Sequence, residues 1–308
     1  MWKRPRSFTD RAHGEDPMSN PTLGFIGLGV MGAGMCANAI RKHAAPVHVF
    51  DLNAEALAAQ LANGGVAAPS VAAVASAASV IFLSLPGGKQ VRAVCEEIAA
   101  HAASGTTVVD LSTTAVVDAR EVAAMLAEKG IAFADAPVAR TRQAAIDGTL
   151  SIMVGASDAV FAQVQPLLSY MGSDVTHCGD VGCGQVVKLI NNTLLFEQVA
   201  AIAEMMVVAE RAGVTGDKLI EAVVLGSGNS FALQNHAKKA MAPRLFPEKA
   251  FPSDYVLKDM GYTIELAGQM GVEPRMANRA AEYYKRAVDS GIGAKYFPAI
   301  IELVEGKA

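Results

Sequence analysis

The sequence predicts a doubly wound α/β domain joined by a long helix to an all-α domain. Three observations carry that expectation. Short apolar runs alternate with helix-length segments from residue 22 to about residue 180. A glycine-rich turn, Gly27-Leu28-Gly29-Val30-Met31-Gly32, directly follows the first of those runs. Beyond residue 183 no strand-like alternation reappears.

Residues 22–26 are a short apolar run, the pattern of a buried strand. The glycine turn then opens an Ala/Met-rich segment of helical character that reaches about Lys42. Residues 47–50 read as a second strand, which ends at Asp51. Further strands are predicted at 80–85, 107–110, 131–134, 150–154 and 175–178, and helices at 54–62, 90–99, 115–129 and 158–171. Strands separated by helices of that length imply parallel βαβ units, because a parallel crossover takes about a dozen residues or more. Residues 183–212 form one apolar helical stretch without proline, and helix is predicted from there to the end. Breaks fall at Gly226–Gly228, Pro243–Pro252, Pro274 and Gly291–Gly293. The expected organisation is a polar, disordered tail over 1–21, with Met18 a candidate start, a nucleotide-binding domain over 22–182, and a helical substrate and oligomerisation domain over 183–308.

Composition narrows the function. A chain of 308 residues holds about two domains. Hydrophobic residues make up 52% and charged residues 18%, far too apolar for a disordered chain. The net charge is 26 − 30 = −4, so no global field attracts nucleic acid or an anionic membrane. Anionic ligands must be caught locally. The four cysteines form no CxxC pair and no His completes a zinc spacing, so reduced thiols in a cytoplasmic protein are expected, with no metal. The longest uncharged stretch, 56–88, is interrupted by Asn63, Gly64, Gly65, Pro69 and Pro86, and no membrane span is expected.

The glycine turn is the first chemical signal. In Gly27-x-Gly29-x-x-Gly32 the glycines serve a tight turn, close approach of a pyrophosphate, and helix–strand packing. The helix N-terminus offers free N–H groups to phosphate. Asp51 follows Gly32 by 19 residues, at the end of the second strand, where an acid receives the adenosine ribose hydroxyls. This is the Rossmann fingerprint. A carboxylate repels a 2′-phosphate, and neither Leu52 nor Asn53 supplies a cation, so NAD is expected and NADP disfavoured.

Lys188 and Asn192 stand i, i+4 on one face of the long helix, with Asn191 adjacent, after a run of glycines at 179, 182 and 184. A lysine beside a carbonyl under reduction stabilises the growing oxyanion and donates the proton; in oxidation the amine takes it back. Partial burial lowers its pKa toward the range such work needs.

Four segments together resemble the β-hydroxyacid dehydrogenases, the family of 3-hydroxyisobutyrate dehydrogenase and tartronate semialdehyde reductase. They are Gly24-Phe-Ile-Gly-Leu-Gly-Val-Met-Gly-Ala-Gly-Met35, Asp135-Ala-Pro-Val138, Gly179-x-x-Gly182-x-Gly184-x-x-x-Lys188-x-x-x-Asn192, and Lys258-Asp259. The resemblance spans residues 23–308. It implies that Gly27, Leu28, Gly29, Val30, Met31, Gly32 and Asp51 bind the cofactor, with Leu85 and Pro86 beside it. It implies that Ser112 and Thr113 lie near the nicotinamide and substrate, that Asn191 or Asn192 holds the substrate, and that Lys258 contacts the cofactor. Thr114 reads equally well as a helix N-cap. A solvated helix face is the alternative for Lys258. A homodimer or homotetramer is expected through the apolar helix.

One departure bears on substrate. The family's small Ser-Gly-Gly after Asp-Ala-Pro-Val binds the substrate carboxylate; here the residues are Ala139-Arg140-Thr141. A guanidinium brings bidentate reach for carboxylate, sulfonate or phosphate. The segment is similar to a Val-x-Arg-Thr segment of 3-sulfolactaldehyde reductases. The expected function is NAD-dependent interconversion of a small anionic β-hydroxy acid and its semialdehyde or oxo acid, with Arg140 and Thr141 on the substrate side. The alternatives are a 3-sulfolactaldehyde or succinic semialdehyde reductase, and a non-catalytic cofactor-binding protein.

Overall fold

The computed structural model describes residues 20–308, apart from Lys249. The tail expected over 1–21 lies almost wholly outside the described residues.

The first half begins with β1 (Leu23–Ile26), α1 (Gly32–Lys42), β2 (Val47–Phe50), α2 (Ala54–Ala62), β3 (Val66–Ala67) and α3 (Val71–Ala77). It continues through β4 (Val80–Leu83), α4 (Gly88–His101), β5 (Thr107–Asp110), α5 (Val116–Ala127) and β6 (Ala132–Asp135). The sheet order over these strands is β3-β2-β1-β4-β5-β6, all parallel. The winding reverses between β1 and β4, so the crevice beyond their carboxyl ends is where such a sheet takes a ligand. β1, β4 and β5 are buried at every residue, because helices cover both faces of the sheet. Phe25, Val49, Phe82 and Val109 fill one face, and Ile26, Ile81, Leu83 and Val108 the other.

The sheet then departs from the expected all-parallel pattern. β7 (Val138–Ala139), α6 (Arg142–Asp147), β8 (Leu150–Gly155), α7 (Asp158–Leu168) and β9 (Gly172–Gly179) follow. β8 runs antiparallel to β6 and β7, with Asp135 opposite Gly155 and Val138 opposite Ile152. The six-residue α6 is too short for a parallel crossover, so the chain folds straight back. α7 supplies a full crossover, and β9 returns parallel to β8.

The second half is helical: α8 (Cys183–Arg211), α9 (Gly216–Val223), a π-helical segment (Ala232–Met241), α10 (Ser253–Gln269), α11 (Arg275–Asp289), a 3₁₀ turn (Phe297–Ile300) and α12 (Ile301–Glu305). Its core is built around Phe196, Tyr284 and Phe297, and the Tyr284 hydroxyl donates to the Phe196 carbonyl at 3.0 Å. α8 has the length and composition to cross a bilayer. Its inward face is the spine of the domain, carrying Phe196, Val199, Ala203 and Met206. Its outward face exposes Val187, Ile190, Leu194, Met205 and Val208 at helical spacing.

Candidate active site

The cofactor end is a backbone device. Gly27 has φ +95°, and a Cβ there would stand 2.2 Å from the Ser84 carbonyl oxygen. A Cβ on Gly32 would stand 2.1 Å from the Gly27 carbonyl oxygen, whereas one on Gly29 would meet nothing within 4 Å. Two glycines therefore let the turn close on itself, and the third leaves an open face. α1 begins at that face with no side-chain cap and no acid in its first turn, so its leading N–H groups are available to an anion. Leu28 N–H donates to Asp51 Oδ2 at 2.5 Å and Asn53 N–H to Oδ1 at 2.7 Å, which fixes the carboxylate at the end of β2. Leu52 is 94% exposed and Asn53 caps α2; neither brings a cation. Val30 and Met31 complete the turn, so the cradle, the free helix end and the oriented acid fit a dinucleotide without a 2′-phosphate.

Beyond β4 and β5 the loops are tied together. Leu85 N–H donates to Ser112 Oγ at 2.9 Å, and Ser112 N–H donates to Asp110 Oδ1 at 3.0 Å. Burial pushes the Asp110 carboxyl up to about 7, against the pull of its Ser112 hydrogen bonds. Ser112 is buried, and its hydroxyl serves this loop. Lys258 reaches across from α10 and donates to the carbonyls of Pro86 at 3.2 Å and Thr113 at 3.3 Å. Its ammonium also lies over the rings of Tyr255 and Tyr262 at 5.8 and 5.7 Å. The solvated-face alternative for Lys258 is thus set aside. A recess of about 300 Å³ lined by Pro86, Gly87, Lys89, Tyr255, Lys258 and Tyr262 lies at this seam between the halves. The N-cap reading of Thr114 is corrected: Ala115 is the cap of α5, and the buried Thr114 Oγ1 has no hydrogen-bond partner.

The chemical end is a chain of buried side chains. Lys188 is 8% exposed on α8 and donates to Asn192 Oδ1 at 3.0 Å. Asn192 Nδ2 donates to Asp259 Oδ2 at 2.7 Å, and Asp259 Oδ1 pairs with Lys258 at 3.3 Å. Asn191 is exposed, and its Nδ2 donates to Asn192 Oδ1 at 3.2 Å. Burial lowers the Lys188 pKa to about 8; Asp259 opposes the shift and Lys258 adds to it. An amine of that kind passes a proton in either direction near neutral pH.

Two expected residues stand differently. Thr141 caps α6, accepting from Ala144 N–H at 3.3 Å. Arg140 adopts φ +87°, and its guanidinium lies against β9. There it pairs with Asp174 at 2.8 Å and donates to Ser173 Oγ at 2.9 Å and the Thr149 carbonyl at 2.5 Å. The side chain expected to meet the substrate anion is thus neutralised by a carboxylate of the protein. Asp110, Gln185, Tyr255, Asp259 and Tyr262 are not among the residues expected in the site. Asp259 stood in the Lys258-Asp259 pair and Gln185 one turn before Lys188, but only the fold brings them to their partners.

Comparison with known proteins places this geometry. Residues 22–179 match the NAD binding domain of 6-phosphogluconate dehydrogenase, and residues 182–304 match the domain described as NAD-binding of NADP-dependent 3-hydroxyisobutyrate dehydrogenase. The 2-(hydroxymethyl)glutarate dehydrogenase of Eubacterium barkeri is 35% identical over 286 residues, covering 92% of this chain and 94% of its own. The chain belongs to the β-hydroxyacid dehydrogenase family. A second member, the 3-sulfolactaldehyde reductase of Escherichia coli, is 31% identical and covers 93% of this chain and 96% of its own. The solved 3-hydroxyisobutyrate dehydrogenase of Mycobacterium tuberculosis, determined with L-serine, superimposes with a TM-score of 0.86 at 30% identity, over 93% of this chain and 99% of that one. As a β-hydroxyacid dehydrogenase, the protein is an NAD-binding oxidoreductase.

Proposed function

We propose that the protein interconverts a small anionic β-hydroxy acid and its semialdehyde, with Lys188 moving the proton. NAD(H) supplies or removes the hydride. The observation that carries the reading is the buried Lys188 ammonium, held by Asn192 and brought to a pKa of about 8. In reduction Lys188 donates to the carbonyl oxygen; in oxidation the neutral amine removes the hydroxyl proton. Asn192 orients Lys188, and the exposed Asn191 is the better placed of the pair to contact substrate. Ser112 and Thr113 line the loop opposite, and Lys258 closes the seam above it. A non-catalytic role for a cofactor-binding protein leaves this lysine network without a purpose.

The substrate that fits best carries a second anionic group besides the carboxylate, as 2-(hydroxymethyl)glutarate does; succinic semialdehyde and 3-hydroxyisobutyrate carry one carboxylate each, and 3-sulfolactaldehyde a single sulfonate. Arg140 is the cation that this reading calls on. Its pairing with Asp174 is about half exposed, and such pairs are worth roughly 0.2–1 kcal/mol. A substrate anion reaching the guanidinium would have to displace that pair together with the hydrogen bonds to Ser173 Oγ and the Thr149 carbonyl. The test is kcat/KM of wild type and Arg140→Ala on these substrates side by side. Arg140→Ala should lose roughly ten- to a hundredfold on the doubly charged 2-(hydroxymethyl)glutarate, mainly through KM, and much less on the singly charged 3-hydroxyisobutyrate. Equal values for wild type and variant on all of them would make Arg140 a surface residue.

The exposed apolar stripe of α8, Val187, Ile190, Leu194, Met205 and Val208, supports a homodimer or homotetramer, which light scattering reads directly. The four unpaired cysteines, with the Cys36 and Cys95 thiols buried, suit a cytoplasmic location, which fractionation tests.

A further inference from the structure

Gln185 is fully buried on the first turn of α8, and neither half of its amide faces the core idly. Its Oε1 accepts from Thr114 N–H at 3.1 Å, and its Nε2 donates to the Ser112 carbonyl at 2.8 Å. Both partners are backbone groups of the loop that follows β5. Gln185 is itself anchored from behind. Its own N–H donates to Asp135 Oδ2 at 2.8 Å, and Gly182 N–H donates to Oδ1 of the same carboxylate at 2.6 Å. Close packing removes slack from that anchor, since a Cβ on Gly184 would stand 2.4 Å from the Met153 carbonyl oxygen and 2.8 Å from that of Asp135. Lys188 follows three residues later on the same rigid helix.

We propose that Gln185 is a positioning residue for the reaction: it sets the spacing between Lys188 and the Ser112–Thr114 loop, so that the proton donor and the loop beside the cofactor face each other at a fixed separation. The Thr114 side chain takes no part in holding the loop, since its buried Oγ1 has no partner. The inference rests on the oxidoreductase activity and on Lys188 as proton donor, and it is independent of which hydroxy acid is the substrate.

Two variants test it on the full-length protein, with the aldehyde that the wild type reduces fastest. Gln185→Met keeps the volume and removes both hydrogen bonds. It should lower kcat roughly ten- to a hundredfold, the scale of a misplacement of about 1 Å between reacting groups, while NADH affinity by fluorescence stays within about threefold. Hydrogen exchange in the protein without cofactor should quicken at the Thr114 amide. Gln185→Glu is isosteric. Its protonated carboxyl can accept from Thr114 N–H and donate to the Ser112 carbonyl, but once ionised it has no donor and repels that oxygen. The ratio of variant to wild-type kcat/KM should therefore be near one at pH ~5 and fall at least about tenfold by pH ~7.5, because a carboxyl of ordinary pKa about 4.3 is raised by burial. A purely structural role moves stability without producing that pH-dependent ratio. The proposal is overturned if Gln185→Met keeps wild-type kcat, if the Gln185→Glu ratio is flat with pH, or if both variants fail to fold. A wild type inactive on every aldehyde offered would count against the substrate reading instead.

Discussion

Around Gly27–Gly32 the polypeptide offers backbone N–H groups and empty space, whereas around Lys188 it offers buried side chains that hold one another. The turn works because Cβ atoms are missing: Gly27 and Gly32 pack backbone against backbone at distances no side chain allows. The lysine network works because polar atoms are present: Lys188, Asn192 and Asp259 form one hydrogen-bonded chain in a place where an unmatched charge would be costly. A site made of backbone is sensitive to added volume and needs no charge of its own. One made of buried side chains depends on donors, acceptors and charge. Damage to the first should appear in cofactor affinity and stability, and damage to the second in turnover.

The largest effect should come from the second kind of site. Lys188→Ala removes the proposed proton donor and its charge, and should lower kcat by about 10²–10⁴-fold while NADH still binds. Calorimetry of NADH binding alongside steady-state kinetics checks both halves. A variant that lost cofactor affinity in proportion would erase the division drawn here.

Two glycines sharpen the contrast within the turn. Gly32→Ala drives a Cβ to 2.1 Å from the Gly27 carbonyl oxygen, so backbone must shift. It should lower the melting temperature by at least about 2 °C, the loss expected for roughly 1–2 kcal/mol in a chain of this size, and weaken NADH about tenfold or more. Gly29→Ala meets no protein atom within 4 Å. Its melting temperature should stay at the wild-type value while NADH affinity falls, since only the bound phosphates would feel the methyl group. Equal melting temperatures for the two variants would show that the turn is not held by the contact at Gly32.

Asp51 gives the smallest effect. The wild type should prefer NAD(H) over NADP(H) by at least about tenfold, or about 1.4 kcal/mol, and Asp51→Ala should narrow the gap chiefly by relieving repulsion of the 2′-phosphate. The ratio of kcat/KM for the two cofactors in each protein reads it.

Legibility in the sequence follows the same line. The glycine turn is a matter of spacing along a few consecutive residues, and Lys188 with Asn192 is one turn of helix, so both could be read directly. The parallel strands β1, β2, β4, β5 and β6 were legible because each is an apolar run between helix-length segments; the two-residue, exposed β3 was not. β7 and α6 were not, since elements of two and six residues carry no periodicity, and the antiparallel turn of β8 depends on that shortness. Asp259 reaches Asn192 across 67 residues and Gln185 reaches the Ser112 carbonyl across 73, and only tertiary packing makes such contacts. The commitment of Arg140 to Asp174 was hidden likewise, because nothing along the sequence links the two, which meet only once β9 lies beside β8.

The proposed role of Lys188, a proton carrier poised near neutrality, is tested most directly by the pH dependence of kcat/KM in both directions. Reduction needs the ammonium form, so it should be level at lower pH and fall as pH rises through about 8, where burial has brought this lysine. Oxidation needs the free amine, so it should rise with pH and then level off, with its limb at lower pH once the cationic nicotinamide is bound. Reduction that stays constant to pH ~10, near the ordinary lysine pKa of about 10.4, or that increases with pH, would contradict the assignment of the proton to Lys188.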